Sequence, residues 1–345
     1  YRRQRQMCIR DRDHNFKAMV GFNWETKFLK DVAATGYNLL SETLNDLNLV
    51  GQGADGEKRM EVGGGQNEYA LMGFFGRLNY DYKGKYLVEA SGRYDGTSRF
   101  KRGQRWGFFP SFSAAYRISE EAFFEPLRKT VDNLKIRLSY GSLGNQQIGY
   151  YDFIQTITTK GSMGDYSFDG TILGQHATVS DPVSGNQTWE KVISKNLGAD
   201  LNMFSNRLSL TADFYIRDTK DMLTDGMALP GVYGADSPSM NSAELRTKGY
   251  ELSVSWRDQF KLAGKPFEYS VGFNLSDYKS VITKYDNNPN KSLTNLTKGD
   301  YYVGMEIGEI WGFKTDGFFK TTEEAQAYAK EVDPVSYTHL RAHET

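Results

Sequence analysis

The sequence predicts an all-β chain, the wall of a partial transmembrane antiparallel up-and-down β-barrel. Three observations predict it. Segment after segment alternates apolar and polar residues with a period of two, the mark of a pleated strand. The apolar faces so defined carry no charge. The connections between segments alternate between short and long along the chain.

The clearest segment is 196–217, where Leu197, Ala199, Leu201 and Met203, then Leu208, Leu210, Ala212, Phe214 and Ile216, share one face. Phe204-Ser205-Asn206-Arg207 turns the chain between them, which predicts a hairpin. Earlier, Ala18, Val20, Phe22 and Trp24 alternate with Lys17, Met19, Gly21, Asn23 and Glu25, which predicts a strand over 17–25. The stretch 26–66 reads as a helical turn over 27–35 and then a long Gly-rich loop. Segment 73–82 places Phe74, Leu78, Tyr80 and Tyr82 together, and a turn at Lys83-Gly84-Lys85 returns the chain through Tyr86, Val88, Ala90 and Tyr94. After a Gly- and Arg-rich loop at 96–107, the alternation resumes at 111–118. Ser119, followed by Glu120 and Glu121, predicts the N-cap of a helix reaching about residue 130. Strands are predicted again at 135–140, 151–159, 250–257, 267–275 and 305–319, with a loop at 218–247.

Composition agrees. Among 345 residues, 14% are aromatic, 35 are Gly and only 8 are Pro, which suits many strands and turns better than helices. Lys and Arg number 42 against 43 Asp and Glu, so no bulk attraction to nucleic acid is implied. Cys8 is the only cysteine, which excludes disulfides within the chain. No apolar run is long enough for a spanning helix, whereas a spanning barrel needs none.

Period two alone fits a soluble sandwich as well as a barrel. The uncharged faces lie opposite Arg77, Asp81, Glu89, Arg93, Arg137, Asp200, Asp213, Glu251 and Glu268, a strictness that lipid demands, because a midplane Arg or Lys costs about 2–4 kcal/mol there. Short connections after Tyr82, Met203 and Arg257 alternate with long ones after Glu25, Asp95, Tyr140, Arg217 and Ser276, as in a barrel with turns on one side and loops on the other. Tyr80, Tyr82 and Tyr86, and then Trp256, Phe267 and Tyr269, stand beside the short turns like an interfacial girdle.

Specific words of the sequence add a resemblance. Arg77-x-Asn79-Tyr80-x-Tyr82-Lys83-x-Lys85-Tyr86, Arg93-Tyr94-Asp95-Gly96-Thr97-Ser98-Arg99-Phe100, Phe109-Pro110-Ser111, Leu134-Lys135-x-Arg137-x-Ser139-Tyr140-Gly141, Gly144-Asn145-Gln146, Trp189-Glu190-Lys191, Asn196-Leu197-Gly198-x-Asp200, Lys248-Gly249-x-Glu251-Leu252 and Gly312-x-Lys314-Thr315-Asp316-Gly317 together resemble the SusC/RagA family of TonB-dependent outer-membrane transporters of Bacteroidetes. Thr247 and Ala243 depart from it, standing where Asn and Gly are usual. The resemblance implies an internal piece of a 22-stranded barrel with a plugged lumen, located in the outer membrane. It also implies import of glycans or oligopeptides, a SusD-like surface lipoprotein as partner, and the TonB–ExbB–ExbD complex acting through a plug outside this chain. It implies no enzyme, no cofactor and no metal.

Residues 1–15 and 333–345 read as non-native tails resembling translated adapter sequence, leaving 16–332 as the barrel segment. Candidate sites are sparse, and no ligand-binding residue is assigned. His339 and His343 have helical metal-ligand spacing but lie in the suspected foreign tail. Asp286, Asn287 and Asn288 offer oxygens to calcium, though a solvated loop reads more simply. Asp95 and Arg99 read as a structural polar network near a rim; Trp189 and the loop tyrosines offer faces for stacking on sugar, though ordinary exposed loop aromatics read more simply. The competing readings are a soluble or surface all-β glycan-binding protein, of the lectin sandwich or propeller type, and a passive porin. An isolated open sheet with two unpaired edges is expected to fold poorly.

Overall fold

The computed structural model describes residues 2–10, 13–39, 41, 43, 46–52, 60–160, 167–168, 171–172, 176–227, 229–291, 300–310 and 317–332. Its main unit is one antiparallel meander of ten strands: β1 Arg2–Arg10, β2 His14–Gly36, β3 Met60–Tyr82, β4 Tyr86–Thr97, β5 Trp106–Arg117, β6 Val131–Asn145, β7 Glu190–Met203, β8 Leu208–Asp225, β9 Ser239–Leu262 and β10 Lys265–Tyr285. Each strand pairs with its neighbours in sequence, and β1 and β10 are the sheet's two edges. Two small ladders, Ile157–Lys160 with His176–Val179 and Ser167–Phe168 with Thr171–Ile172, lie in the connection between β6 and β7. The sheet is open, and no second sheet faces it among the described residues, which overturns the sandwich reading.

Register carries the two faces from strand to strand. Phe22, Phe74, Tyr94 and Phe108 are successive partners across β2 to β5. Leu138, Leu197, Phe214 and Tyr250 are partners across β6 to β9. These side chains lie on one face of the sheet, largely uncovered among the described residues: Leu138 is 56% exposed and Phe214 60%. An apolar surface this extensive on one face requires a non-aqueous neighbour.

Aromatic rows bound the apolar band. At the short-turn end Tyr86 stacks on Tyr116 with centroids 5.0 Å apart and on Tyr82 at 6.3 Å, and His14 tilts onto Tyr82 at 4.9 Å. On β9 and β10 the same end holds Trp256, whose Nε1 donates to the Tyr269 hydroxyl at 3.2 Å, and Phe260 against Phe267. The upper row is Trp106, stacked on Tyr94 at 4.8 Å and on Phe74 at 6.4 Å. Trp106 is the register partner of Gly96, where a Cβ would come within 2.8 Å of the indole. The ten-residue rise from Tyr86 to Gly96, at about 3.4 Å per residue and a barrel tilt near 40°, spans about 26 Å, matching an outward apolar band of about 25 Å.

The parity of turns and loops holds in part, since the connection 118–130 at the turn end is longer than the segment 98–105 at the other. Lys83 (φ 55°) and Gly84 (φ 67°) are the central residues of a turn closed by Lys85 N–H donating to Tyr82 O within the three-residue connection 83–85, and Ala263 (φ 51°) and Gly264 (φ 79°) make a two-residue turn before β10. Both adopt the left-handed pair that suits hairpin twist. Connections 37–59, 146–189 and 226–238 lie at the opposite end, together with the short segment 98–105.

Several sequence expectations need correction. Residues 27–35 are strand rather than helix, because β2 continues to Gly36 in unbroken register with β3. The 218–247 loop shrinks to 226–238, because β8 and β9 go on pairing through bulges near Met222 as far as Asp225 and Ser239. Residues 118–130 form two 3-10 turns, Ile118–Glu120 and Ala122–Leu127, with Pro126 inside the second, and Ser119 caps neither. The strand expected at 151–159 begins only at Ile157. Within 305–319, residues 311–316 lie outside the described residues and the rest make only the isolated bridge Val281–Glu306. Arg2–Arg10, expected to follow no strand pattern, pairs along β2, whose edge presents a row of backbone donors and acceptors. Residues 333–345 lie outside the described residues.

Leu293–Gly299 with Gly308–Thr345 form a separate unit. It contains α1, Thr322–Val332, whose Glu324 N–H donates to Thr321 Oγ1 at 3.2 Å.

Candidate functional site

The inward face is polar, and many of its charges are paired with one another. Arg137 on β6 lies opposite Gly198 on β7, which lies opposite Asp213 on β8. Lacking a side chain, Gly198 lets the guanidinium cross β7. Arg137 donates Nε and Nη2 to Asp200 at 3.0 Å each, and Nη2 to Asp213 Oδ2 at 3.0 Å. Lys135 Nζ completes the quartet 2.8 Å from Asp200 Oδ2. A Cβ on Gly198 would stand 2.7 Å from the Arg137 guanidinium carbon.

Gly73 opens a similar crossing on β3. It separates Asn23 from Asp95 in register, and Arg93 spans the gap with two hydrogen bonds to Asp95, at 2.8 and 3.0 Å, and one to Asn23 at 3.2 Å. Between these clusters Asn79 donates to Glu89, which also faces Arg77 at 3.5 Å. Forked Arg–carboxylate pairs of this kind fix orientation more than they stabilise a wet surface. A groove of about 500 Å³ follows this wall past Lys17, Asn79, Glu89, Arg137 and Asn196. Asn196 Oδ1 and Asp213 Oδ1 are buried and accept no hydrogen bond among the described residues.

A second construction holds the loops. Phe100, Phe109 and Trp189 form a buried cluster, and Trp189 Nε1 donates to Arg105 O at 3.0 Å. The Arg99 guanidinium lies 4.2 Å from the Tyr69 ring and 4.8 Å from that of Tyr150, and donates to Ile148 O at 2.8 Å. The start of the 146–189 connection is thereby tied to β3 and to the loop after β4.

At the opposite end, Glu121 receives hydrogen bonds from Lys85 Nζ at 3.1 Å and from the Tyr86 hydroxyl at 2.9 Å. They hold its carboxyl below the usual carboxylate range.

The candidates from sequence fare unevenly. Trp189 is only 4% exposed, so its ring is a packing element and does not offer a stacking face to sugar. Asp95 belongs to the Arg93 cluster and Arg99 to the tyrosine sandwich, and the structure does not join the two. Asp286 pairs with Lys284 at 3.0 Å and Asn288 donates to Tyr301 O, both contacts of ordinary loop structure. His339 and His343 lie outside the described residues. The quartet of Lys135, Arg137, Asp200 and Asp213 was missed, because the pairing of β6 with β7 that brings Gly198 between Arg137 and Asp213 appears only in the structure.

A two-faced meander with this polar wall can be compared with known proteins. The family model described as TonB dependent receptor-like, beta-barrel, matches residues 6–333. The chain belongs to that family. It is an outer-membrane β-barrel segment, and its family consists of receptors and transporters rather than enzymes. TonB-dependent receptor P26 of Formosa agariphila is 34% identical over 300 residues, covering 85% of this chain and 28% of the relative. TonB-dependent receptor SusC of Bacteroides thetaiotaomicron is 30% identical over 236 residues, covering 68% of this chain and 22% of the relative. A solved RagAB peptide transporter superposes with a TM-score of 0.69 at 25% identity over 84% of this chain and 31% of that one. The chain therefore spans under a third of the length of these proteins.

Proposed function

We propose that this segment belongs to the wall and loops of an energised importer that carries glycans or oligopeptides across the outer membrane. A SusD-like surface lipoprotein captures the cargo with it. The TonB–ExbB–ExbD complex releases the cargo inward by pulling on a plug formed elsewhere in the protein. The observation that carries this reading is the two-faced sheet, uncharged and exposed outward, with forked ion pairs and a groove on the reverse. The similarity to a protein described as a peptide transporter, and to SusC, supports it. No residue is assigned a catalytic role.

Residues 16–332 are the barrel segment in this reading, with 333–345 foreign to it; 1–15 are read as foreign on their Arg-rich composition, against the pairing of Arg2–Arg10 along β2 and the start of β2 at His14. Sequencing the uninterrupted gene tests this: a plug-coding region upstream and a different sequence at both ends are expected. Uptake by cells carrying the complete gene should stop when TonB is deleted. Uptake that persists without TonB identifies a passive porin instead.

A further inference from the structure

The connection from β5 to β6, at the short-turn end, leaves large apolar side chains uncovered among the described residues. Phe124 is buried, whereas Phe123 beside it is 70% exposed and Leu127 is 55% exposed. Arg128 fastens the segment: its Nε donates to Ser119 O at 2.9 Å, and its other nitrogens lie 3.8 Å from Glu120 and 3.6 Å from Glu125. Charges within the segment are thus offset against one another while Phe123 and Leu127 stay outside.

One hydrogen bond places this segment relative to lipid. Tyr86 and Tyr116 belong to the lower aromatic row on the apolar face, and the Tyr86 hydroxyl donates to Glu121 Oε1 at 2.9 Å. Glu121 therefore sits at the edge of that row, on the apolar side of the wall, and Phe123 follows it by two residues. Interfacial tyrosines mark the headgroup level. The next turn adds a third ring. Phe204 donates its backbone N–H to Thr130 O at 2.9 Å and holds its ring 6.2 Å from Trp256. Its φ is 59°, a left-handed conformation uncommon for a bulky residue, and it too is exposed.

We propose that Phe123, Leu127 and Phe204 form a foot that inserts into the periplasmic leaflet of the outer membrane, with phospholipid as its partner. Short turns of such barrels face the periplasm. Continuity selects lipid as the occupant: the apolar band already meets it, the band's lower row is bonded to this segment, and apolar side chains at headgroup level lie along the acyl boundary. The foot holds whatever the barrel carries.

The test uses the complete transporter in phospholipid vesicles, its own cysteines replaced by Ala and one cysteine introduced as Phe123→Cys, Leu127→Cys or Phe204→Cys and labelled with bimane. Emission at each should fall in lipids brominated in the upper acyl chain and change little with aqueous iodide. Glu125→Cys, exposed on the same segment, should answer iodide instead. Phe123→Ser/Leu127→Ser should lower the folded population in vesicles roughly tenfold, whereas side chains facing water would change it no more than about twofold. Heat-modifiable migration checks that each labelled variant is folded, and any one of the three positions that folds decides the question. Quenching of positions 123 and 127 by iodide, a lipid response at 125 equal to theirs, or a double variant as stable as wild type overturns the proposal. So does a label that neither quencher reaches, which means that protein covers the foot.

Discussion

Leu78 tests the outward face directly. It lies four residues before Tyr82 on β3, opposite Ala90, and is 50% exposed. At about 3.4 Å per residue and a tilt near 40°, it sits about 10 Å inside the lower aromatic row, well within an apolar band about 25 Å tall. Leu78→Arg should therefore cost about 2–4 kcal/mol, a factor of roughly 30 to 900 in the folded population. Met72→Arg, on the same face but level with Trp106, should cost about 0–1 kcal/mol because its charge reaches the headgroups. Ser113→Arg, facing inward opposite Glu89, should be nearly neutral. The assay is urea-dependent refolding of the complete transporter into lipid vesicles, read by heat-modifiable migration. Tolerance of Leu78→Arg together with loss of folding in Ser113→Arg would refute the assignment of faces.

Other outcomes follow from single contacts. Gly198→Ala should destabilise by about 1–3 kcal/mol by driving a Cβ into the Arg137 crossing, measured in the same refolding assay. Trp189→Ala should cost about 3–5 kcal/mol locally, seen as faster trypsin cleavage within 146–189 while the barrel still migrates as folded. Glu121 has a depressed folded pKa, so its contribution is present above the unfolded value near about 4.3 and is lost as pH falls through the lower folded value. Urea titrations of Glu121→Gln should accordingly lose the share of the acid dependence due to this group.

Strand identity was legible because lipid enforces it: the rows through Leu78, Val88 and Leu197 admit no charge, so period two survives without interruption. Strand length was not. Beyond the apolar band both faces meet water, the alternation lapses, and register with the neighbouring strand alone keeps β2 extended to Gly36. Helix α1 escaped notice although Thr321 and Glu324 have capping-box spacing. Trp189 read as a loop aromatic because its burial depends on Phe100 and Phe109, distant in sequence. The polar quartet could be spelled from Arg137, Gly198 and Asp213 only once strand pairing was known.

The central claim is that alternate side chains of one strand meet lipid and lumen. Single cysteines along β4 of the complete transporter, introduced after its own cysteines are replaced by Ala, measure it residue by residue. Positions 88, 90 and 94 should be quenched by lipid-phase probes and resist a water-soluble thiol reagent, while 89, 91 and 93 should do the reverse. A run of adjacent positions sharing one environment, or the two sets exchanged, would contradict the account.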